Sequence, residues 1–270
     1  MKYKIYSLLF CLFSASALAT PQADEILVKV RDRYDGDDYV SQVTLRNNSN
    51  GNIQDKNMYM LQKDFPDREM VSMFFHSPSD VRNVSFLVAN YNESIASDDE
   101  QWMYLPAFRK VRRISGQDKR GAFMGSAYSY SDLDKLRVKD YQSTLEGEDK
   151  VNGRDSWKIE RIPVSQDVIN KNGYNRTVLW VDKERDIVLK QDYYNSKNVR
   201  YKSLEATEVR LIQDIWTITH SKMKNFENDK ESEMIFHAIK YNAGVDVDYL
   251  TQNILKTSIK DSEFKKLIGQ

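Results

Sequence analysis

The densest charge in the chain is the run Arg109, Lys110, Arg112, Arg113, Lys119 and Arg120. Guanidinium groups hold a carboxylate or phosphate through two parallel hydrogen bonds, so this run is the first candidate for recognising an anionic headgroup. On a strand, Lys110 and Arg112 share one face while Arg109 and Arg113 share the other, so the run is no single flat patch. A solvated strand flanked by carboxylates is the plain alternative.

Other chemistry has less support. There is no Gly-x-Ser-x-Gly elbow and no phosphate-binding glycine loop. Ser221 with Lys224 and Ser262 with Lys265 match Ser-x-x-Lys, but such matches arise by chance in a lysine- and serine-rich chain, and the companion motifs of serine acyl enzymes are absent. His76, His220 and His237 are scattered, without a HExxH motif or a Cys/His cluster. Asp35, Asp37 and Asp38 around Gly36 lack the spaced ligands and distal glutamate of a calcium loop and read as an acidic turn at a helix end. No catalytic residue, metal ligand or cofactor is expected.

The basic run must be positioned by what surrounds it. Trp102 to Leu105 reads as a strand that stops at Pro106, and Arg109 to Ile114 as a second strand. A loop follows with Gly116, Gly121 and Gly125, the apolar pair Phe123 and Met124 between them, then Tyr128, Tyr130 and Asp132. Such a loop either tucks into its own core or covers an apolar cavity and moves when a ligand enters. Met58, Met60, Met70, Met73, Met103 and Met124 fit a core, and they also fit a site that tolerates ligands of varied shape.

Lys2 and Lys4, the apolar run Ile5 to Phe13 and the small residues Ala17 and Ala19 read as a secretory signal peptide over residues 1–19, with the mature protein beginning at Thr20. Cys11 is the only cysteine and leaves with the signal, so no disulfide and no thiol chemistry remain. Phe10 before it is too bulky for a lipoprotein signal. Losing Lys2 and Lys4 turns 40 basic against 40 acidic residues into 38 against 40, a net charge of −2 that offers no drive toward nucleic acid. With 11% aromatic and 30% charged residues, a soluble exported protein with a large core is expected.

Thr20 and Pro21 read as a helix start, and Ile26, Leu27, Val30 and Tyr34 as the apolar face of a helix ending at Gly36. From Tyr39 the period changes to two, and strand candidates continue to Tyr241. Asn50-Gly51, Asn152-Gly153 and Asn172-Gly173 punctuate them, favouring an antiparallel meander. Trp157 and Ile159 alternate with Lys158 and Glu160, so one face there is wet, whereas Val71 to Phe75 and Thr177 to Val181 are apolar on both faces and need two covers. One further helix is expected near Val247 to Leu255. A mainly β fold follows, a long curved antiparallel sheet wrapped around few helices. No repeat, linker or composition shift divides residues 20–270, so a single domain is expected.

The segment Trp102-Met103-Tyr104-Leu105-Pro106, Arg109 to Ile114, Phe123-Met124-Gly125-Ser126 and Asp132-Leu133 resembles the signature of the outer membrane lipoprotein-sorting protein family, within the LolA/LolB-like superfamily. The resemblance implies a half-open barrel, with helices and a loop closing an apolar cavity for acyl chains. It implies a periplasmic carrier of lipid or lipoprotein acyl chains that works with a resistance-nodulation-division (RND) type exporter and an outer-membrane acceptor. The cavity or lid candidates are Met58, Met60, Met73, Phe75, Trp102, Tyr104, Leu105, Phe123 and Met124. The headgroup or lid contacts are Arg109, Arg112 and Arg113. Ala127 and Ser131 stand where the family pattern has acidic residues, which removes a carboxylate contact from the lid there. A lipid-ester hydrolase using the same cavity, and an exporter accessory subunit that binds no ligand, are the alternatives.

Overall fold

The computed structural model describes residues 22–95 and 97–270. The expected signal segment and the Thr20–Pro21 helix start lie outside them. The alternating stretches form thirteen strands: β1 (Asp38–Ser49), β2 (Asn52–Asp64), β3 (Arg68–Ser77), β4 (Ser85–Tyr91), β5 (Glu100–Leu105), β6 (Lys110–Arg113), β7 (Tyr141–Val151), β8 (Arg154–Pro163), β9 (Arg176–Asp182), β10 (Val188–Tyr194), β11 (Arg200–Ile212), β12 (Ile215–Asn225) and β13 (Lys230–Tyr241). Two of the Asn-Gly signals act as tight hairpin turns. Asn50 and Gly51, and again Asn152 and Gly153, all take the positive φ that a type I′ turn demands.

All thirteen strands join one open antiparallel sheet in the order β6-β5-β4-β3-β2-β1-β13-β12-β11-β10-β9-β8-β7. Every neighbour is consecutive in sequence except β1 and β13, the first and last strands, which pair from Tyr39 opposite Tyr241 to Ser49 opposite Lys230. That pairing leaves β6 and β7 as the two free edges. Since β6 and β7 are also consecutive, residues 114–140 must run from one edge of the curved sheet to the other. The connection therefore crosses the opening of the half-barrel, and the glycine loop lies within it.

The helices are α1 (Ala23–Asp32), α2 (Gln166–Asn172), α3 (Ile254–Thr257) and α4 (Asp261–Ile268). α1 ends short of Gly36, and Ile26 and Leu27 pack on Ile159, Leu179 and Val181 of β8 and β9. The stretch expected as one helix from Val247 to Leu255 is a 3-10 turn at Val247–Leu250 followed by α3. α2 and α4 are two further short helices, beyond those expected from the sequence. α2 is capped by the Ser165 hydroxyl, which accepts from Val168 N, and α4 is held by Phe264, whose ring stacks 3.8 Å from that of Tyr59.

β3 has the two covers that its apolar faces require. Met70 and Phe74 meet the C-terminal segment through Leu250, Leu255 and Phe264, while Val71, Met73 and Phe75 meet the connection from β6 to β7 through Phe123, Ala127 and Tyr128. Ser72 and Ser85 tie the C-terminal segment down by donating to the carbonyls of Tyr249 (2.7 Å) and Leu255 (2.6 Å).

Candidate functional site

The connection from β6 to β7 is a packed insert. Ala122 and Ser129 form an antiparallel bridge, with Phe123 N donating to Tyr128 O and Tyr130 N to Gly121 O. This small loop drives Phe123 into the inner face, where its ring meets Phe86 at 4.9 Å, Tyr130 at 5.8 Å and Phe75 at 6.2 Å. Both halves of the sheet hold it. From β2, Lys56 Nζ donates to Met124 O at 2.6 Å, and burial pushes the Lys56 amine below its ordinary value. From β13, Ser232 Oγ accepts from Ala127 N at 2.9 Å. From β12, Ser221 Oγ shares a hydrogen bond with Tyr128 Oη at 2.9 Å. From β11, the buried Lys202 ammonium binds both the Asp132 carboxylate and Ser129 Oγ.

The sequence candidates fall into three places. Met60, Met73, Phe86 and Met103 form one rung across β2 to β5, and Met58, Phe75, Leu105, Phe123 and Met124 lie in the same cluster. Expected as cavity walls, Met58, Met60, Met73, Phe75 and Phe123 are packed against one another and almost fully buried. Trp102 and Tyr104, one residue out of phase with Met103 and Leu105, face the opposite side and pack with the C-terminal segment. Expected at the cavity or lid, they pack instead on the side covered by the C-terminal segment. Arg109 sits in a left-handed turn after a 3-10 helix at Pro106–Phe108, and both Arg109 and Arg112 are exposed. Arg113 pairs with Glu100 at 2.7 Å.

The open space lies deeper along the connection. A cavity of about 550 Å³ sits between residues 113–141, α2 and strands β8 to β12, within the roughly 300–1,000 Å³ of small-molecule sites. Of the sequence candidates, Arg113 lines it. Its apolar wall is Tyr128, Tyr141, Tyr174, Tyr193, Val168, Leu204 and Met223. Burial pushes the phenols of Tyr128, Tyr141, Tyr174 and Tyr193 up, so they stay neutral.

Charged pairs complete the lining: Lys171 with Asp98 at 2.6 Å, Lys119 with Asp134 at 2.9 Å and Arg137 with Asp99 at 3.0 Å. Burial, with the neighbouring Asp134 carboxylate, pushes Asp99 up to about 6. Such a lining, apolar on one side and charged on the other, matches an amphiphile better than a bare hydrocarbon. No histidine lines the cavity, and among the described residues no group of His, Cys, Asp and Glu is arranged to hold a metal ion.

Tyr141, Tyr174, Tyr193, Lys202 and Arg161 are not among the residues expected from the sequence at a site. The signal for Arg161 was present. Trp157, Ile159 and Arg161 share one parity on β8, and burial follows it, with Arg161 buried and Ile162 exposed. Carboxylates in this connection stand instead at Asp132, which binds Lys202, and Asp134, which binds Lys119.

A family model described as "-like: Uncharacterized protein" matches residues 67–257. A DUF1329 family protein from Desulfovibrio piger superposes with a TM-score of 0.81 at 29% identity, covering 86% of this chain and 97% of that one. A domain named for outer membrane lipoprotein sorting, from Vibrio parahaemolyticus, superposes at 0.79 with 27% identity, covering 87% and 98%. A LolA superfamily protein from Nitrosomonas europaea gives 0.64 at 16% identity, covering 87% and 99%, a likeness of fold. No curated protein matches the chain in sequence.

Proposed function

The chain belongs to the family whose model spans residues 67–257 and resembles a lipoprotein-sorting domain and, in fold, a LolA superfamily protein, and on that premise we propose that it is a LolA-like, exported periplasmic carrier of lipid or lipoprotein acyl chains. The observation that carries this reading is the cavity of about 550 Å³ with an apolar tyrosine, leucine and methionine wall and a charged rim. Burying a methylene gains about 0.8 kcal/mol, so a chain laid on that wall is held in water, while the rim suits a polar headgroup. No helix among the described residues is long and apolar enough to cross a membrane. Export rests on the N-terminal sequence, and transfer between membranes with an RND-type exporter and an outer-membrane acceptor rests on the family resemblance. Residues 20–270 act as one carrier domain in this proposal.

Mass spectrometry of a solvent extract tests it. The mature protein is purified without detergent from a bacterial periplasm beside a similarly handled control. A stoichiometric acyl lipid is expected in the extract, and its absence there and after incubation with phospholipid vesicles overturns the carrier reading. Release of free fatty acid during that incubation would point to a lipid-ester hydrolase.

The closed methionine and phenylalanine core around Phe123 favours a second reading, an accessory subunit that binds no lipid. Its docking element is the free edge β6 with Arg112 on it and Arg109 in the turn before it, neither with a carboxylate within salt-bridge distance among the described residues. An extract without lipid, together with co-purification of an exporter lost in an Arg109→Glu, Arg112→Glu variant, is its expected signature.

A further inference from the structure

Two buried cations share one rung of the sheet beside the cavity. Arg161 on β8 stands opposite Thr177 on β9, Thr177 opposite Tyr193 on β10, and Tyr193 opposite Lys202 on β11. Residues directly opposite in antiparallel strands lie on the same face, so all four look inward together. Lys202 is neutralised by Asp132. Arg161 is 4% exposed and lines the cavity, yet no carboxylate lies within salt-bridge distance of it among the described residues.

The nearby acids are already engaged. Asp140 faces Arg137 at 3.3 Å, and Glu93 faces Arg31 at 2.5 Å. Every other cation on the lining has a carboxylate: Arg113 has Glu100, Lys119 has Asp134, Lys135 has Glu69, Arg137 has Asp99 and Lys171 has Asp98. Arg161 itself donates to the Arg137 carbonyl and lies 3.8 Å from the centre of the Tyr141 ring. Neither contact carries a full negative charge. A guanidinium keeps its proton, so a buried one without an anion is a costly arrangement unless an anion arrives.

The unused donors cluster there. Arg161 Nε, Ser143 Oγ and Thr177 Oγ1 are all buried without a hydrogen-bond partner, and Ser143 and Thr177 are the residues directly opposite Arg161 on the two flanking strands. A guanidinium with a hydroxyl on either side is a donor set for an oxyanion.

We propose that Arg161, which lines the cavity, forms its anion-binding end, flanked on the neighbouring strands by Ser143 and Thr177, and selects ligands that end in a carboxylate or phosphate. The inference rests on the carrier reading for the identity of the rest of the ligand, an acyl chain along Tyr174, Tyr193 and Met223. The basic run on β6 is then not the headgroup site.

The test is isothermal titration of the mature chain and its Arg161→Met and Thr177→Val variants with dodecanoate, dodecyl phosphate, dodecanol, acetate and inorganic phosphate. The wild type is expected to bind a dodecyl anion at least tenfold more tightly than dodecanol. Arg161→Met is expected to abolish that preference while leaving dodecanol binding within twofold and the melting temperature unlowered, and Thr177→Val to weaken the anion severalfold. Equal binding of anion and alcohol by the wild type, or a preference that survives in Arg161→Met, overturns the inference and leaves the carrier reading standing. Binding of acetate or phosphate in an Arg161-dependent way without any dodecyl preference supports an anion site for a free anion and overturns the carrier reading. No binding of any probe overturns both.

Discussion

Lys202 on β11 and Asp132 in the connection from β6 to β7 form an ion pair whose side chains are 4% and 5% exposed. Through it the half of the sheet that carries the cavity grips the segment crossing the opening. Because both charges are desolvated, removing one partner leaves the other uncompensated, and such losses typically cost about 3–5 kcal/mol. Lys202→Met is expected to destabilise the fold by about that amount in urea denaturation. The double variant Lys202→Met, Asp132→Leu is expected to recover a large part of it. A double variant no better than Lys202→Met alone would show that the pair's geometry, rather than its charge balance, matters.

Phe123 is fully buried among Phe75, Phe86 and Tyr130. A residue so placed is core, and truncating a buried phenylalanine costs about 3–5 kcal/mol. Phe123→Ala is expected to lower stability in that range. A loss under about 1 kcal/mol, with ligand binding changed instead, would restore the lid role that the loop composition suggested.

Lys56 donates to the Met124 carbonyl, where Met124 takes a positive φ of 49°. A non-glycine residue in that conformation is held by its surroundings. Replacing the ammonium by a thioether in Lys56→Met removes one hydrogen bond to a charged donor, about 1.5–3 kcal/mol. Native-state hydrogen exchange is expected to speed up at the amides of Phe123, Ser126 and Tyr130 and to stay unchanged in β11 to β13.

Asp99 contributes to the pH dependence of the rim, beside Asp134, which burial also pushes up. Its pKa in the fold is pushed up to about 6 from an ordinary 3.8 by burial and by Asp134. Between those values the folded state holds the proton that the unfolded state has released. Stability from this group is therefore present below about pH 4 and lost as pH rises through about 6, a change on the order of 3 kcal/mol. Asp99→Asn is expected to flatten the stability profile between pH 4 and 6, measured by denaturant midpoints across that window. A profile of unchanged slope would assign the dependence to another group.

Alternation and Asn-Gly turns in the chain itself determined an antiparallel meander with few helices, and the motif around Trp102 to Leu133 pointed to a half-open barrel crossed by a loop. Those features are local, because strand period and turn geometry depend on neighbours along the chain. Which strands end up at the edges did not follow from them. It depends on the pairing of β1 with β13, which brings Tyr39 to Tyr241, and that pairing alone sends the connection across the opening.

Periodicity likewise says that Trp102 and Tyr104 share one side and Met103 and Leu105 the other, but with both sides apolar it cannot say which side looks inward. The tertiary structure decided that the first pair meets the C-terminal segment and the second the inner cluster. Arg161 shows the same division from the polar side. Its parity with Trp157 and Ile159 was visible, with Ile162 facing outward at 45% exposure, and a charge in a core position is a local inconsistency of the kind that marks a functional site. That no carboxylate among the described residues comes within salt-bridge distance of it was decided only by the fold, which gave the surrounding acids to Arg31, Arg137 and Lys202.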